Sequence, residues 1–273
     1  MNDYTGFIFL DKEIGISSAK ALYAVKNCVP KCTKVGHAGT LDPFASGLLI
    51  VGVGKATRAI EYVMGMNKVY EFTVHWGIAT NTDDCTGEVI ANSTHIPSIN
   101  EIENSLNVFR GMILQKPPAY SAIHISGKRA YDLARNGEKF DLPIRKVNVL
   151  RLDVISHHET STKFIMECSK GCYVRSIARD LAEKLNTYGH VIQLRRTQIG
   201  KFSVLNSSMK IIPITEVLDF PILQVSESDV QKIRNGINID IKIDERTILE
   251  NQQCDFLCIA EMIQASLSLK RIL

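Results

Sequence analysis

Residues 68–77, "KVYEFTVHWG", alternate without a break: Tyr70, Phe72, Val74 and Trp76 fall on one side, Glu71, Thr73 and His75 on the other. Successive side chains of an extended chain point to opposite faces, so this period predicts a strand with one covered face. On a helix, residues two apart would lie about 200° around the axis, and the apolar set would not form a face. On either side of this stretch, "GFIFLDK" (6–12), "LLIVGVG" (48–54), "KVNVLRLDVISHH" (146–158), "TKFIMECS" (162–169) and "VIQLRRTQIGKFSV" (191–204) read as further strands. "SSAKALYAVKNCV" (17–29) reads as a helix capped by Ser17, with Ala21, Leu22 and Val25 on one face. "KATRAIEYV" (55–63), "SINEIENSLNVFR" (98–110) and "YVRSIARDLAEKL" (173–185) read as helices, and "AYSAIHISGKRAYDLARNG" (119–137) as strand, Ser-Gly turn and helix ending at Gly137.

Helices and strands are interspersed without regular alternation. The fold class expected is α+β: a mixed, largely antiparallel sheet with flanking helices. A change in charge sign after "NSSMKIIP" (206–213) puts a boundary near residue 210, giving a main domain over 1–210 and a small appendage over 211–273. The tail reads as short strands with turns, a β-rich unit.

The chain has 273 residues, enough for a full core, with 45% hydrophobic and 22% charged residues. It holds no stretch of eighteen apolar residues, and "MNDYTGFIFLDKEIG" (1–15) lacks the basic start and long apolar run of a signal peptide. A cytoplasmic protein with no membrane association is expected. Seven cysteines, an odd count, suit reduced thiols. The pairs Cys28/Cys32, Cys168/Cys172 and Cys254/Cys258 are spaced C-x3-C rather than the C-x2-C of zinc sites, so no metal is expected.

The net charge of +3 is unevenly spread. Residues 59–109 hold 1 basic and 7 acidic side chains, whereas residues 110–201 hold 17 basic and 8 acidic ones. The second segment suits either a polyanion-binding face, nucleic acid being the common case, or a solvated lysine-rich surface.

The stretch "VGHAGTLDPFASGLL" (35–49) concentrates backbone control around one carboxylate, Asp42. Gly36, Gly39 and Gly47 allow tight turns or close approach, and Pro43 pushes Asp42 toward extended geometry. Two readings stand: Asp42 is the N-cap of a helix beginning at Pro43, or it is a positioned catalytic carboxylate. "GVGKAT" (52–57) is not a phosphate loop, since Leu49 and Ala56 stand where that motif needs Gly and Ser or Thr. No nucleophile elbow, zinc-protease motif or dinucleotide fingerprint is present. Tyr70 is a core aromatic or a stacking platform. Arg175 and Arg179, one turn apart, form a solvated stripe, pair with Asp180 and Glu183, or serve a site. Lys12 is a surface lysine or a substrate contact.

"FLDKEIGISS" (9–18), "GHAGTLDPFASGLL" (36–49), "NKVYEF" (67–72), "QKPPAYSAIHISGKRAYDLARNG" (115–137) and "SKGCYVRSIARDLAEKL" (169–185) resemble, in order, blocks of the bacterial tRNA pseudouridine synthase B family. The resemblance covers residues 6–200. It implies the pseudouridine synthase fold with a C-terminal PUA-like RNA-binding appendage, and isomerisation of uridine 55 in the T loop of tRNA without a cofactor or metal. It also implies that Asp42 is the catalytic carboxylate, that Tyr70 stacks on the target base and that Arg175 pairs with Asp42. His37, Lys12 and Tyr173 fall at positions used around the substrate loop. The implied partner is the T-stem loop of tRNA, with no obligate protein partner. One departure is visible: His124 stands where the family usually has Lys. A non-catalytic RNA-binding or chaperone protein, and a nucleoside glycosidase with a second acid near Asp42, remain as rival readings.

Overall fold

The computed structural model describes residues 4–125, 127–235, 237, 239–251, 256–263 and 266–271. The expectations that touch Met1–Asp3, Ser126 of the Ser-Gly turn and Cys254 lie outside these residues. The first elements are β1 (Gly6–Lys12), α1 (Ser18–Lys26), β2 (Val35–His37), β3 (Ser46–Val53), α2 (Ile60–Gly65), β4 (Lys68–Trp76), β5 (Ile78–Thr80) and β6 (Val89–Asn92). They are followed by α3 (Ile99–Ser105), β7 (Gly111–Gln115), β8 (His124–Ile125), β9 (Lys128–Arg129), α4 (Ala130–Arg135), β10 (Arg145–His158), β11 (Ser161–Cys168) and α5 (Val174–Lys184). The chain continues with β12 (Gly189–Ile199), β13 (Phe202–Ser203), β14 (Ser208–Ile212), α6 (Ile214–Val217), β15 (Ile222–Gln224), α7 (Glu227–Asn235), β16 (Thr247–Glu250), β17 (Phe256–Ile263) and β18 (Ser266–Arg271).

The main sheet runs β14-β1-β3-β12-β4-β11-β10-β7, with β2 beside β3 and β13 beside β12. Its described ladders are antiparallel except β3 against β12. The alternating stretch that opens the sequence is β4, and it lies between β12 and β11 near the middle of the sheet. Phe72, Val74 and Trp76 are buried as the period predicts, and Phe72 stacks on Phe164 of β11. Trp76 Nε1 donates to Thr162 Oγ1 at 2.8 Å, so its polar end is satisfied inside the core. The amphipathic helix α5 packs over this face through Ile177, Ala178, Leu181 and Ala182.

Ser17 caps α1 as expected, its Oγ accepting from Lys20 N. The helix expected over 55–63 begins as a tighter 3-10 turn, Gly54–Ala59, before α2. Two expectations change. No helix follows Asp42: Pro43 and Phe44 form a turn and the chain enters β3, so Asp42 is not an N-cap. The C-terminal tail is not only strands and turns, for it contains α6 and α7. In α7, Val230 and Ile233 are three apart and both buried, a helical spacing. Ser226 Oγ accepts from Asp229 N at its start.

The stretch near residue 210 forms β14, which pairs with β1. A second sheet, β15-β16-β17-β18, begins at Ile222. Ile248 and Ile259 of that sheet pack in one cluster with Phe7 and Phe9 of β1 and with Ile214 and Val217 of α6.

Candidate active site

Asp42 lies in the segment joining β2 to β3, and that segment is pinned from several elements. Leu41 N donates to Ser18 Oγ at 2.8 Å, and Ser18 Oγ donates back to Leu41 O at 2.9 Å, so the first turn of α1 holds the preceding residue from both sides. Gly15 N donates to Pro43 O at 2.7 Å, and Ala45 N to Asp42 O at 3.1 Å. Arg196 Nη2 donates to Gly39 O at 3.1 Å, with Gly39 at φ 107°, a left-handed position suited to glycine. The result is a fixed carboxylate whose side chain remains 34% exposed.

That exposure opens into a cavity of about 270 Å³ lined by Asp42, Lys68, Tyr70, Tyr173, Arg175 and Arg196, among others. Arg175 comes from the first turn of α5 and is buried. Its Nη2 lies 3.0 Å from Asp42 Oδ2 and its Nη1 lies 3.4 Å from Asp84 Oδ2. The same two nitrogens donate to Thr82 O at 2.9 Å and Tyr120 O at 3.0 Å. One guanidinium thus bridges two carboxylates and two loops, which the planar fork of Arg allows and the point charge of Lys does not. Asp84 Oδ1 accepts from Thr82 Oγ1, Thr86 N and Thr86 Oγ1 at 2.6–2.9 Å, so the second carboxylate is fully engaged.

Burial pushes the Asp42 carboxyl above the ordinary carboxylate range, and nearby Asp84 adds to the rise; Arg175 and Lys12 act against it. Desolvation is the larger effect, and the pull of Arg175 toward the ionised form only partly offsets it.

Tyr70 faces the cavity from β4, and burial pushes its hydroxyl up to about 12. Tyr173 precedes α5 and is clamped by buried Gln115 of β7: Tyr173 N donates to Gln115 Oε1 at 2.8 Å and Gln115 Nε2 donates to Tyr173 O at 3.1 Å. Burial raises the Tyr173 hydroxyl as well. His37, on β2, lines an adjoining cavity of about 960 Å³ that shares Asp42 and Arg175 and reaches Arg129 and Arg135. Among the described residues its Nδ1 is buried without a hydrogen-bond partner, and burial together with Arg196 lowers its pKa.

Lys12 is not brought to either cavity wall. It is 1% exposed, and its Nζ donates to Glu13 O at 2.9 Å and Ile16 O at 2.8 Å, tying down the loop that holds Pro43. Burial lowers its pKa, and its charge acts on Asp42 from behind the segment. Arg179 is not a solvated stripe either: it pairs with Asp83 at 3.0 Å and with Asp180 at 2.7 Å. His124 is exposed on β8, beside exposed Lys128 and Arg129 of β9.

Three residues of the site escape the sequence reading. Asp84 carries a faint signal, an Asp between two threonines in "TDDCTG" (82–87). Lys68 sits at the register of Tyr70 but breaks the apolar pattern, and nothing in the sequence distinguishes Arg196 from Arg195.

The profile of the TruB family pseudouridylate synthase N-terminal domain matches residues 26–174, and that of the tRNA pseudouridylate synthase B C-terminal domain matches residues 175–237. A tRNA pseudouridine synthase B of Ehrlichia chaffeensis is 43% identical over 256 residues, covering 86% of each chain. The proteins of that name from Mesorhizobium japonicum and Sinorhizobium medicae are 45% and 46% identical; the matches cover 73% and 72% of this chain but only 61% and 64% of theirs. Among solved structures, the fold is similar to a Cbf5-Nop10-Gar1 complex, with TM-score 0.69 and 20% identity, covering 97% of this chain and 82% of that one. An archaeal box H/ACA sRNP Nop10-Cbf5 complex aligns with TM-score 0.68 and 18% identity, over 98% and 86%. With two domain profiles meeting end to end and a relative matched along most of both chains, the chain belongs to the TruB family of pseudouridylate synthases.

Proposed function

We propose that this chain isomerises uridine 55 in the T loop of tRNA to pseudouridine, with Asp42 as the catalytic carboxylate. The observation that carries the reading is a rigid, partly exposed carboxylate, held by a buried arginine, in a cavity that also presents a tyrosine ring. The reaction breaks the bond from ribose C1′ to N1 of uracil and remakes it to C5. As the bond opens, the sugar carbon becomes electron-poor, as in glycoside hydrolysis, and a carboxylate serves there as nucleophile or base. Arg175 aims Asp42 and supports its ionised form against burial. Tyr70 stacks on the uracil while it turns, in the cavity that Tyr173 also lines.

A target base stacked in RNA must first be extruded, at a cost of a few kcal/mol that stacking and phosphate contacts offset. The adjoining cavity with His37, Arg129 and Arg135, and the basic segment 110–201 around it, suit the loop and its phosphates. Residues 1–210 form the synthase domain in this reading, and residues 211–273 a PUA-like appendage that adds RNA contacts. The glycosidase rival loses ground because Asp84, though near, has one oxygen held by three donors and the other by Arg175.

The test follows from the fate of C5, which loses its hydrogen when it bonds to C1′. tRNA labelled with tritium at C5 of uridine 55 should release the label to water with the wild-type chain. With Asp42→Asn, release should fall below detection while tRNA still binds. Normal release by that variant would remove Asp42 from the chemistry, and no release by the wild type would remove the activity.

A further inference from the structure

Two buried cations lining the cavity form no salt bridge with the Asp42 carboxylate among the described residues. Lys68, on β4, is 6% exposed, and its Nζ donates at 2.5 Å to the carbonyls of Met64 and Met66. Arg196, on β12, is 2% exposed; its Nε donates to Leu48 O at 2.8 Å and its Nη2 to Gly39 O. Among the described residues neither has a carboxylate within salt-bridge distance and their hydrogen bonds go to backbone carbonyls, whereas a buried Lys or Arg is ordinarily paired with an acid.

The charges around the cavity fall into two groups. Asp42 feels Arg175, Asp84 and Lys12. Tyr70 and Lys68 feel Arg196 instead. Lys68 lies two residues from Tyr70 on β4 and Arg196 stands opposite Tyr70 in the β4–β12 register, so the cationic pair sits with the tyrosine ring while the carboxylate is held by Arg175; this gives the cavity a base-binding side and a sugar-binding side. Resting on the function proposed above, this separation matches what the reaction creates. When C1′–N1 breaks, its electron pair stays on N1, and the free uracil is an anion with charge spread over N1, O2 and O4. It remains so until C5 bonds to C1′; C5 then gives up its proton and N1 gains one, so atoms and charge balance.

We propose that Lys68 and Arg196 are the electrostatic seat of the detached base, stabilising the uracil anion on its Tyr70 platform. Buried cations without a counter-ion are preorganised for negative charge that appears only during the reaction. A purely structural role, tying down the carbonyls of Met64 and Met66, would make loss of the Lys68 charge slow both a more and a less acidic departing base by the same factor.

The full chain is tested with a T-loop hairpin RNA carrying uridine or 5-fluorouridine at the target position. Consumption of the parent nucleoside is followed in single turnover at about pH 6.5, where N3 of both bases keeps its proton. The fluorinated base leaves as a weaker base and needs less stabilisation. Lys68→Met should slow uridine by about 100-fold and 5-fluorouridine by about 10-fold or less. Equal slowing of both, or no slowing of uridine, overturns the inference.

A second measurement needs no variant. Burial, with Arg196, lowers the Lys68 pKa to about 8; Cys168 and Lys170 are the other titratable groups acting on it. The wild-type rate on uridine should therefore fall as pH rises through about 8, and a flat profile up to about pH 8.5 overturns the inference. A wild-type chain that leaves uridine unchanged overturns the proposed function and this inference together, whereas an active one with equal slowing overturns the inference alone.

Discussion

Arg175 is the side chain on which the site depends most directly, because it replaces water for two carboxylates and two backbone carbonyls at once. Lys at this position keeps the charge but cannot span the four acceptors. Arg175→Lys should lower stability by about 2–3 kcal/mol in urea denaturation, through buried groups left unpaired, and should also slow turnover. An unchanged midpoint would mean that the bridge contributes nothing to the fold. Asp42 carries the opposite sign. Its pKa is raised on folding, so its favourable contribution to stability is complete below the ordinary Asp range and is lost as pH rises through the raised value. Asp42→Asn, neutral throughout, should therefore match or exceed the wild-type Tm at pH 7, with the gap shrinking toward about pH 3. A large drop in Tm at pH 7 would make Asp42 a structural residue.

The pairing of β3 with β12 is the element that brings Asp42, on one side, and Arg196, on the other, to a common cavity. It is short, with Ser46 opposite Arg195 and Gly47 opposite Arg196. Gly47 has φ 107°, and a Cβ there would stand only 2.8 Å from the Arg196 nitrogen and carbonyl carbon, with the carbonyl oxygen closer still. Gly47→Ala should lose at least about 2 kcal/mol, from the positive φ and the forced separation of the strands. Thermal unfolding and turnover should fall together; wild-type stability in this variant would show that the strands can part without consequence. The segment after β2 makes a related point. Asp-Pro reads as a helix start by local rules, yet the chain turns and enters β3, because the eight-residue strand from Ser46 to Val53 buries seven residues and the turn is held by Gly15 and Ser18.

Across the whole molecule, the basic segment 110–201 contributes Arg129, Arg135, Lys170, Arg175 and Arg196 to the cavity linings, while the acidic segment 59–109 contributes Asp83 and Asp84 as internal partners of Arg179 and Arg175. The acidic excess is thus partly spent inside, and the basic excess faces outward through residues such as Lys128, Arg129 and Lys146. If about five phosphates are contacted, log affinity for tRNA should fall with log salt at a slope of about −3.5 to −4.5. Titrations at several salt concentrations measure it, and a slope near zero would remove this face from RNA binding. No helix among the described residues is long and apolar enough to cross a membrane.

Period and local chemistry were enough to read most strands, the cap at Ser17 and the large mixed sheet; it was the resemblance to a family, not a local pattern, that singled out Asp42, Tyr70, Tyr173 and Arg175, which line one cavity. The period and the cap are short-range signals, since alternation and capping depend on neighbours a few residues apart. The helix α7 was hidden because a two-residue apolar face in a polar stretch resembles a turn-rich strand until it packs on Ile239 and Leu249. What no local pattern could carry were the distances between segments far apart in the chain: Asp84 on the second arm of Arg175, Lys12 turned inward to carbonyls, Lys68 and Arg196 buried beside the tyrosine. Charge alone does not tell a surface lysine from a buried one. Only the closing of β3 on β12 and of α5 over the sheet removes water from these groups, and it is that loss of water which shifts their pKa values and gives the site its two electrostatic sides.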